Sequence, residues 1–283
     1  MDISVVGAGR VGTALAVLLA RAGHRIVAVS GREETVDRAA RFLPGTPVLP
    51  FAEAAAAADV VLIGVPDASV EAVAGDMPAG PGSAIVHLSG ALGLDALRVP
   101  EDAGATVAAL HLLQTFPSVE AAIERVPGSS AAVTGRTEEG SALGERLAVD
   151  AGARPFRLAD EARPLYHAGA VLASNAVVAL MGLAERVFRE AGIDDPVARF
   201  LPLTRASVDN TGAFGAAEAL TGPVVRGDAA TVERNLQGLA EHTPEAVGPY
   251  VALSRAAAAL AVASGRLDES RGREIEEALA RWT

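Results

Sequence analysis

The sequence near the amino terminus reads Ile3-Ser4-Val5-Val6-Gly7-Ala8-Gly9-Arg10-Val11-Gly12. A short β-type run precedes three glycines, and an amphipathic segment follows them. Gly7 permits a tight turn, Gly9 lets the backbone approach a phosphate, and Gly12 lets a helix pack closely against the strand. The pattern predicts a strand, a turn and a helix whose N-terminus binds the pyrophosphate of a dinucleotide. The candidate cofactor residues are Gly7, Ala8, Gly9, Arg10, Val11 and Gly12.

The end of the second predicted strand bears on which dinucleotide is bound. NAD sites usually carry Asp or Glu there, which binds the ribose hydroxyls. This chain has Val29-Ser30-Gly31-Arg32 instead. A hydroxyl and a guanidinium can bind a 2′-phosphate, whereas a carboxylate would repel it. Ser30, Gly31 and Arg32 therefore favour NADP over NAD, although Arg32 could equally be an ordinary solvated arginine.

Apolar runs alternate with amphipathic segments in the first half of the chain. This alternation is typical of a parallel sheet with crossover helices, and the valine-rich runs indicate strands covered on both faces. We predict an α/β fold with a doubly wound sheet of these strands: Ile3–Val6, Arg25–Val29, Val60–Val65, Ala84–Leu88, Thr106–Leu110, Ser130–Val133 and Pro155–Leu158. The predicted helices between them are Val11–Arg21, Glu33–Arg41, Phe51–Ala57, Ser69–Ala74 and Thr137–Asp150.

After about Asp160 the strand-like runs disappear and helical segments take over. We predict two domains, residues 1–158 binding NADP and residues 159–283 forming an all-helical substrate and dimerisation domain. Its first helix is predicted to run from Leu165 to Glu190 without a break. The later helices are predicted at Pro196–Asp209, Ala213–Leu220, Asp228–Glu241, Pro244–Ala263 and Glu269–Arg281.

Composition excludes several classes of function. The chain has 283 residues, a net charge of −11, no cysteine and no lysine. Disulfides, zinc–cysteine sites and iron–sulfur clusters are therefore excluded, and no lysine can act as an acid, base or Schiff base. The acidic balance argues against nucleic-acid binding. Because the apolar stretches Ala14–Ala22 and Ala168–Ala184 fall short of the roughly 20 residues needed to span a bilayer, we expect a cytoplasmic protein with no membrane partner.

Polar and small residues follow later strands, where ligands of such sheets bind. They are Val65, Pro66 and Asp67 after the third strand, Ser89 and Gly90 after the fourth, and His111 and Gln114 at the fifth. All five residues Val65, Pro66, Asp67, Ser89 and Gly90 are candidates for contacting the cofactor. Ser89, Gln114 and His111 could also orient or protonate a substrate. His87 lies within its strand and is read as a core histidine, and Asp67 could simply cap the next helix.

The helical half supplies a second set of polar residues. His167 and Ser174 are seven residues apart, which is about two helical turns, so they would share one face with Asn175 at its edge. They could reach a substrate or bond to neighbouring helices. Arg226 follows the turn Gly222-Pro223 and could bind a substrate carboxylate, or form a surface ion pair. No metal site is predicted.

Five segments together resemble a known group: GAGRVG at residue 7, HLSGAL at 87, HLLQTF at 111, YHAGAVLASN at 166 and LTGPVVRGD at 220. They resemble Rossmann-like proteins that carry the domain of unknown function 2520, in the 6-phosphogluconate-dehydrogenase-like superfamily. Pyrroline-carboxylate, ketopantoate and deazaflavin-dependent NADP reductases are relatives. The resemblance implies a Rossmann domain, a helical C-terminal domain and a homodimer formed through the helical half. It also implies that hydroxyacid-oxidising relatives use a lysine near Val171, which cannot ionise here.

These observations predict an NADP-dependent oxidoreductase. It would transfer hydride between NADP(H) and a small, anionic carbonyl or imine in the cleft between the domains. Ser89 and Gln114 would orient the substrate, and Arg226 would hold its carboxylate. The proton donor would be His167, His111 or Tyr166, of which histidine is best matched to neutral pH. Asn175 is a further catalytic candidate, and Ser174 is a further substrate-binding candidate. Two alternatives stay open: a non-catalytic NADP(H)-binding regulatory protein and a deazaflavin-linked NADP oxidoreductase.

Overall fold

The computed structural model describes residues 1–282 and divides them into two compact units. The first unit comprises Met1–Ser174, and the second begins at Asn175. The predicted boundary at 158/159 follows the last strand, whereas the compact units separate after Ser174. The assignment of residues 1–158 to NADP binding and of residues 159–283 to substrate binding and dimerisation stays a prediction.

The first unit is built on a seven-stranded sheet with the order β2-β1-β3-β4-β5-β6-β7. Its strands are β1 (Asp2–Val6), β2 (Arg25–Ser30), β3 (Val60–Ile63), β4 (Ala84–His87), β5 (Thr106–Leu112), β6 (Ser130–Gly135) and β7 (Arg154–Arg157). All seven predicted strands are present, with ends shifted by at most two residues. β1 to β5 are parallel, which places their carboxyl ends at one edge.

The sheet is not parallel throughout. β6 runs antiparallel to β5, and β7 runs parallel to β6. The prediction of a parallel sheet is therefore wrong at its far edge. A run of apolar residues records burial but not direction, since a strand of either direction buries the same side chains when helices cover both faces.

The helices of the first unit cover both faces of the sheet. They are α1 (Arg10–Arg21), α2 (Glu34–Phe42), α3 (Phe51–Ala56), α4 (Asp67–Gly75), α5 (Arg98–Asp102), α6 (Val119–Arg125), α7 (Glu138–Asp150) and α8 (Arg163–Ala173). Short 3₁₀ turns stand at Leu94–Leu97 and Asp160–Ala162. The prediction lacks the turn at Leu94, α5 and α6, which have only four to seven residues, so a helical period is hard to recognise in them.

Two apolar clusters lie on opposite faces of this sheet. One contains Leu62 and Val86, and the other contains Ile63 and Ile85. Neighbouring residues of one strand point to opposite faces, so each strand contributes to both clusters. The expectation that these strands are covered on both faces is confirmed.

The second unit is helical. Its helices are α9 (Asn175–Glu190), α10 (Pro196–Phe214), α11 (Ala216–Ala219), α12 (Ala229–His242), α13 (Val247–Ala263) and α14 (Glu269–Ala280). Its apolar cluster forms from α12, α13 and α14, around Val232, Leu236, Val251 and Ile275. By contrast, no residue of α9 is buried, and α10 buries only Pro196 and Phe200.

The prediction of one unbroken helix from Leu165 to Glu190 is wrong at Ser174. There α8 has ended, and the backbone of Ser174 has φ −129° and ψ −71°, outside the helical region. Side-chain hydroxyls compete for backbone hydrogen bonds, which makes serine a frequent site of such interruptions. The argument that His167 and Ser174 share a helical face therefore fails.

Two helical stretches are long and apolar enough to cross a membrane by length and composition alone, Asp160–Glu190 and Pro244–Ala263. Their mean hydropathies are 1.6 and 1.4. One or two such stretches are weak evidence of a membrane protein, although neither is a buried core helix here: the window in Asp160–Glu190 is 0% buried and that in Pro244–Ala263 is 28% buried. A cytoplasmic location and the absence of membrane and nucleic-acid partners stay predictions.

Candidate functional site

The loop Gly7–Gly9 lies between the end of β1 and the start of α1. The amides of Gly7 and Ala8 both donate to the carbonyl of Ser30 at the end of β2, at 2.9 and 3.0 Å. Gly7 has φ +85°, and a Cβ there would lie 2.6 Å from the backbone nitrogen of Val65. A Cβ on Gly12 would lie 2.9 Å from the Gly7 carbonyl oxygen. Both positions therefore require glycine for packing within the protein.

Gly9 differs from these two glycines. A Cβ at Gly9 would meet only the Gly7 carbonyl oxygen, at 4.0 Å, so the space beside it is otherwise open. Gly9 is also the N-cap of α1, where no side chain caps the helix and no acidic residue occupies the first turn. The free amides at the start of α1 therefore lie beside an open approach. This arrangement fits the pyrophosphate of a dinucleotide.

Arginines surround this loop. Arg10 and Arg32 are exposed, and Nη1 of Arg38 on α2 donates to the carbonyl of Ala8 at 2.8 Å. Ser30 is buried at the end of β2, where its carbonyl anchors the loop. No sequence pattern singles out Arg38, because a helical arginine usually lies on a solvated face. In the structure, Arg38 is a cation that contacts the loop Gly7–Gly9.

Val65, Pro66 and Asp67 follow β3 and lead into α4. Asp67 is the first residue of α4 and its side chain makes no capping bond, so the capping interpretation is wrong. It is exposed, and its charge acts on His111 and Arg163. The Asp67 carboxylate is thus one of the charges around the group of residues described next.

A polar cluster forms where β4 and β5 end and α8 begins. Nδ1 of His111 lies 2.7 Å from Oη of Tyr166. The ring centroids of His111 and His167 are 6.0 Å apart. A Cβ at Gly90 would lie 2.7 Å from Nδ1 of His167 and 2.8 Å from Nε2 of His111. Two imidazoles flank Gly90 and leave no room for a side chain there. We call His111, Tyr166, His167 and Gly90 the histidine–tyrosine cluster.

The protonation states in and near this cluster are set by burial and by one cation. Burial and then the charge of Arg163 lower the pKa of His111 to about 4. The same two causes lower the pKa of His87 to about 3. Burial raises the pKa of the Tyr166 phenol. Near pH 7 both histidines are therefore neutral and Tyr166 carries its proton.

His87 and His167 have ring nitrogens that no side chain bonds. His87 is fully buried, as expected for a core histidine. No side chain bonds its ring nitrogens, and the backbone of Gly93 partly offsets the lowering of its pKa. Nδ1 of His167 is buried without a partner. A buried polar atom without a hydrogen bond costs about 1–3 kcal/mol, so the His167 nitrogen is suited to bonding a ligand.

Arg163 is the cation behind these pKa shifts, and it is fully buried. Its Nε and Nη2 donate to the carbonyls of Leu92 and Ser89, and its Nη1 donates to Oγ1 of Thr134 at 2.9 Å. It thereby ties α8 to the loop after β4. The Ser89 hydroxyl accepts from the amides of Ala91 and Leu92, which shapes the same loop. Sequence reasoning missed Arg163, since an arginine before a helical proline looks like a surface residue.

The remaining candidates lie outside this cluster. Oε1 of Gln114 accepts from the amide of Thr115 at 2.9 Å, and the hydrogen bonds of the described residues include none from Gln114 to the cluster. Ser174 ends the first unit, and Asn175 begins the second. Arg226 is exposed in the turn before α12. The roles predicted for these residues stay predictions.

The helical unit has a cavity of its own. It has a volume of about 900 Å³ and is lined largely by apolar residues of α9, α12 and α13, among them Leu183, Phe188 and Leu253. Thr243 lines it with a buried hydroxyl that has no partner, and Tyr250 lies there with its hydroxyl accepting from Asn235. In residues 1–282 no group of histidine and acidic side chains could hold a metal ion.

Two family models match this chain. Residues 1–112 match the Rossmann-like domain, and residues 129–257 match the Domain of unknown function (DUF2520). The second match begins at the antiparallel edge of the sheet and extends into the helical unit. No curated protein matches the sequence.

Solved structures share this fold over nearly the whole chain. Protein BF3122 of Bacteroides fragilis, provisionally named an NADP oxidoreductase, is 23% identical, with a TM-score of 0.74 over 90% of this chain and 97% of its own. Protein TM1727 of Thermotoga maritima is 25% identical, with a TM-score of 0.72 over 93% and 99%. A reductive aminase of Aspergillus terreus, solved with NADPH and ethyl levulinate, is 18% identical, with a TM-score of 0.69 over 98% of each chain.

The expected resemblance and fold are confirmed by these matches. The segments that carried the resemblance fall within or beside the matched ranges, and the glycine loop opens the first of them. The chain therefore resembles a Rossmann-like domain over residues 1–112 and a DUF2520 domain over residues 129–257.

Proposed function

We propose that this protein is an NADP-dependent oxidoreductase acting on a small carbonyl or imine compound. One observation carries the proposal: the glycine loop after β1 and the histidine–tyrosine cluster after β4 and β5 lie at the same carboxyl edge of one parallel sheet. Ligands of doubly wound sheets bind at that edge, so a nucleotide on the loop would have polar side chains within reach of its far end. When bound, a nicotinamide dinucleotide supplies or accepts hydride.

The arginines near the loop support NADP over NAD. Arg32 and Arg38 flank the end of β2, and Ser30 stands where NAD sites carry a carboxylate. A guanidinium binds a phosphate with two parallel charge-assisted hydrogen bonds. The fold relatives solved with NADPH agree with this assignment.

Tyr166 is the proposed proton donor. His111 was predicted for this role, but a histidine with a pKa of about 4 carries almost no proton to give at pH 7. The Tyr166 phenol keeps its proton, and Nδ1 of His111 lies within hydrogen-bonding distance of the phenol oxygen. His111 is then a positioning residue, while the unpaired His167 nitrogen holds the substrate. Tyr166 thus replaces His111 as the proposed proton donor.

The test is a fluorescence titration with NADPH, followed by NADPH oxidation against a panel of ketoacids, cyclic imines and a deazaflavin. We expect binding and turnover of at least one carbonyl or imine. Absence of both NADPH and NADH binding at millimolar concentration would remove the proposal. Binding without turnover of any compound would favour a regulatory protein, and turnover of the deazaflavin alone would favour the deazaflavin-linked alternative.

We also infer that the protein is a homodimer through its helical half. Large apolar side chains of α9 and α10 are exposed, including Val178, Leu180, Leu203, Val208 and Phe214. Exposed apolar patches of this kind mark protein interfaces in soluble proteins. Sedimentation velocity should give a dimer, and Leu203→Glu with Val208→Glu should give a monomer. A monomeric wild type at micromolar concentration would contradict the inference.

A further inference from the structure

The charge of Arg163 is not neutralised by a contact. Its three hydrogen-bond acceptors are two backbone carbonyls and the Thr134 hydroxyl. Among the ion pairs of residues 1–282 none joins a carboxylate to Arg163; Asp160 and Asp67 act on it only at longer range. A guanidinium this deeply buried keeps its charge, because arginine is not deprotonated in proteins. The guanidinium therefore adds a buried positive charge that only the more distant Asp160 and Asp67 offset.

This positive charge reaches the histidine–tyrosine cluster. Arg163 lies three residues before Tyr166 on α8, and its Nη2 bonds the carbonyl of Ser89, next to Gly90. The other groups that act on His111 are His167 from α8 and Asp67 from α4. At His111 the effect of Arg163 on the pKa exceeds the opposing effect of Asp67. The net field at the cluster therefore opposes the gain of a proton.

A field that opposes an imidazolium also opposes any other cation placed there. A protonated imine enters the site as a cation and would be disfavoured. A carbonyl enters neutral and develops negative charge on its oxygen during reduction, which a nearby buried cation stabilises. We propose that the histidine–tyrosine cluster acts on a neutral carbonyl, and not on a protonated imine, because the unpaired charge of Arg163 stabilises an oxyanion there. This inference rests on the proposed function.

The step balances as a carbonyl reduction. A bound reduced nicotinamide dinucleotide would supply a hydride to the carbonyl carbon and would itself be oxidised, while the electron pair of the C=O π bond would move to the oxygen. That oxygen takes the proton of Tyr166 Oη, leaving a phenolate that His111 Nδ1–H stabilises and that water reprotonates. The reverse sequence oxidises an alcohol. Tyr166 is the catalytic residue, and Arg163 and His111 are positioning residues.

The first experiment compares matched carbonyl and imine compounds with the wild-type protein and NADPH. The pairs are cyclopentanone with 1-pyrroline, and 2-oxopentanoate with 1-pyrroline-2-carboxylate. We expect kcat/KM to be at least about tenfold higher for the carbonyl of each pair. Faster reduction of the imines would overturn the inference while leaving the proposed function intact.

The second experiment needs neither nucleotide nor turnover. Thr134→Asp places a carboxylate against Arg163, and Thr134→Asn is its neutral control of similar shape. The titration of His111 is followed by NMR and assigned by its loss in His111→Gln. Thr134→Asp should raise the pKa of His111 above that of Thr134→Asn, and it should also lower the carbonyl preference. Equal His111 pKa values in the two variants would overturn the inference.

Failure of the two proposals can be told apart. The NADPH titration decides the proposed function, and the histidine titration decides whether Arg163 sets the field at the cluster. If neither Thr134 variant folds, the matched substrate pairs on the wild type decide the inference alone.

Discussion

The sheet unit and the helical unit use apolar residues in opposite ways. In β3 and β4 every residue is buried, and apolar clusters fill both faces of the sheet. In α9 no residue is buried, and α10 buries two of nineteen. The sheet unit covers the apolar residues of its central strands within itself, although α8 leaves Leu165 and Leu172 exposed. The helical unit leaves large apolar side chains of α9 and α10 exposed, which supports the proposal that a second copy of the chain covers them.

Each unit contains one tyrosine, so replacing each in turn tests which unit carries the catalytic group. The chain has two tyrosines. Tyr166→Phe should lower kcat by about 10²–10⁴, because it removes the proposed acid. Tyr250→Phe, which removes a hydroxyl from the cavity of the helical unit, should leave kcat within about twofold. Steady-state assays with the best carbonyl substrate measure both, and equal losses would place the chemistry elsewhere.

A glycine pair tests whether the nucleotide loop is made for a ligand or for packing. Gly9→Ala should weaken NADPH binding about a hundredfold, since its methyl group enters the open approach to α1. Its melting temperature should hold, because that methyl meets only one atom, at 4.0 Å. Gly238→Ala on α12 is the control, as its Cβ also meets nothing within 4 Å. A fall in melting temperature for Gly9→Ala would mean that Gly9 serves the fold.

Lowering the pH should reduce the stability of the sheet unit more than that of the helical unit. His87 and His111 have native pKa values of about 3 and about 4, below the unfolded value of 6.5. Between those values the unfolded chain binds more protons, so stability is full above pH 6.5 and falls as the pH drops. Each histidine should cost about 2 kcal/mol between pH 7 and pH 5.

The measurement is chemical unfolding at the two pH values. His111→Gln should lose less stability over this interval than the wild type, and His242→Gln, at an exposed site in the helical unit, should lose as much as the wild type. An identical loss in all three proteins would contradict the neutral, buried state of His111.

The smallest expected effect concerns the choice of nucleotide. Arg32→Ala should lower the preference for NADPH over NADH about tenfold, because one charge-assisted contact to the 2′-phosphate is lost. Arg205→Ala, an exposed arginine on α10, should change nothing. Isothermal titration with both nucleotides gives the ratio. An unchanged preference would assign the phosphate contact to Arg38 alone.

Much of the sheet unit could be predicted from local patterns. The apolar runs located all seven strands, because buried strand positions favour apolar residues. The glycine spacing located the loop, because its backbone conformation favours glycine. Strand direction left no such mark, so the antiparallel β6 was missed. In the site, His111, His167 and Gly90 were named from their places at strand ends and on a helix.

Arg163 shows what could not be predicted. Its partners Ser89, Leu92 and Thr134 are 74, 71 and 29 residues away along the chain. Nothing local distinguishes it from an exposed arginine, since its burial and its hydrogen bonds arise only once α8 meets β6 and the loop after β4. The same holds for the pKa of His111, which depends on a cation from another element.

The order of residues alone therefore determined the strands, the glycine loop and the absence of a lysine acid, since each follows from residue type and short-range spacing. Only the tertiary structure decided which side chains meet: the Tyr166–His111 pair, the buried cation behind it and the interruption at Ser174. The physical reason is that hydrogen bonds and Coulomb interactions depend on distances in space, which contacts remote in sequence create.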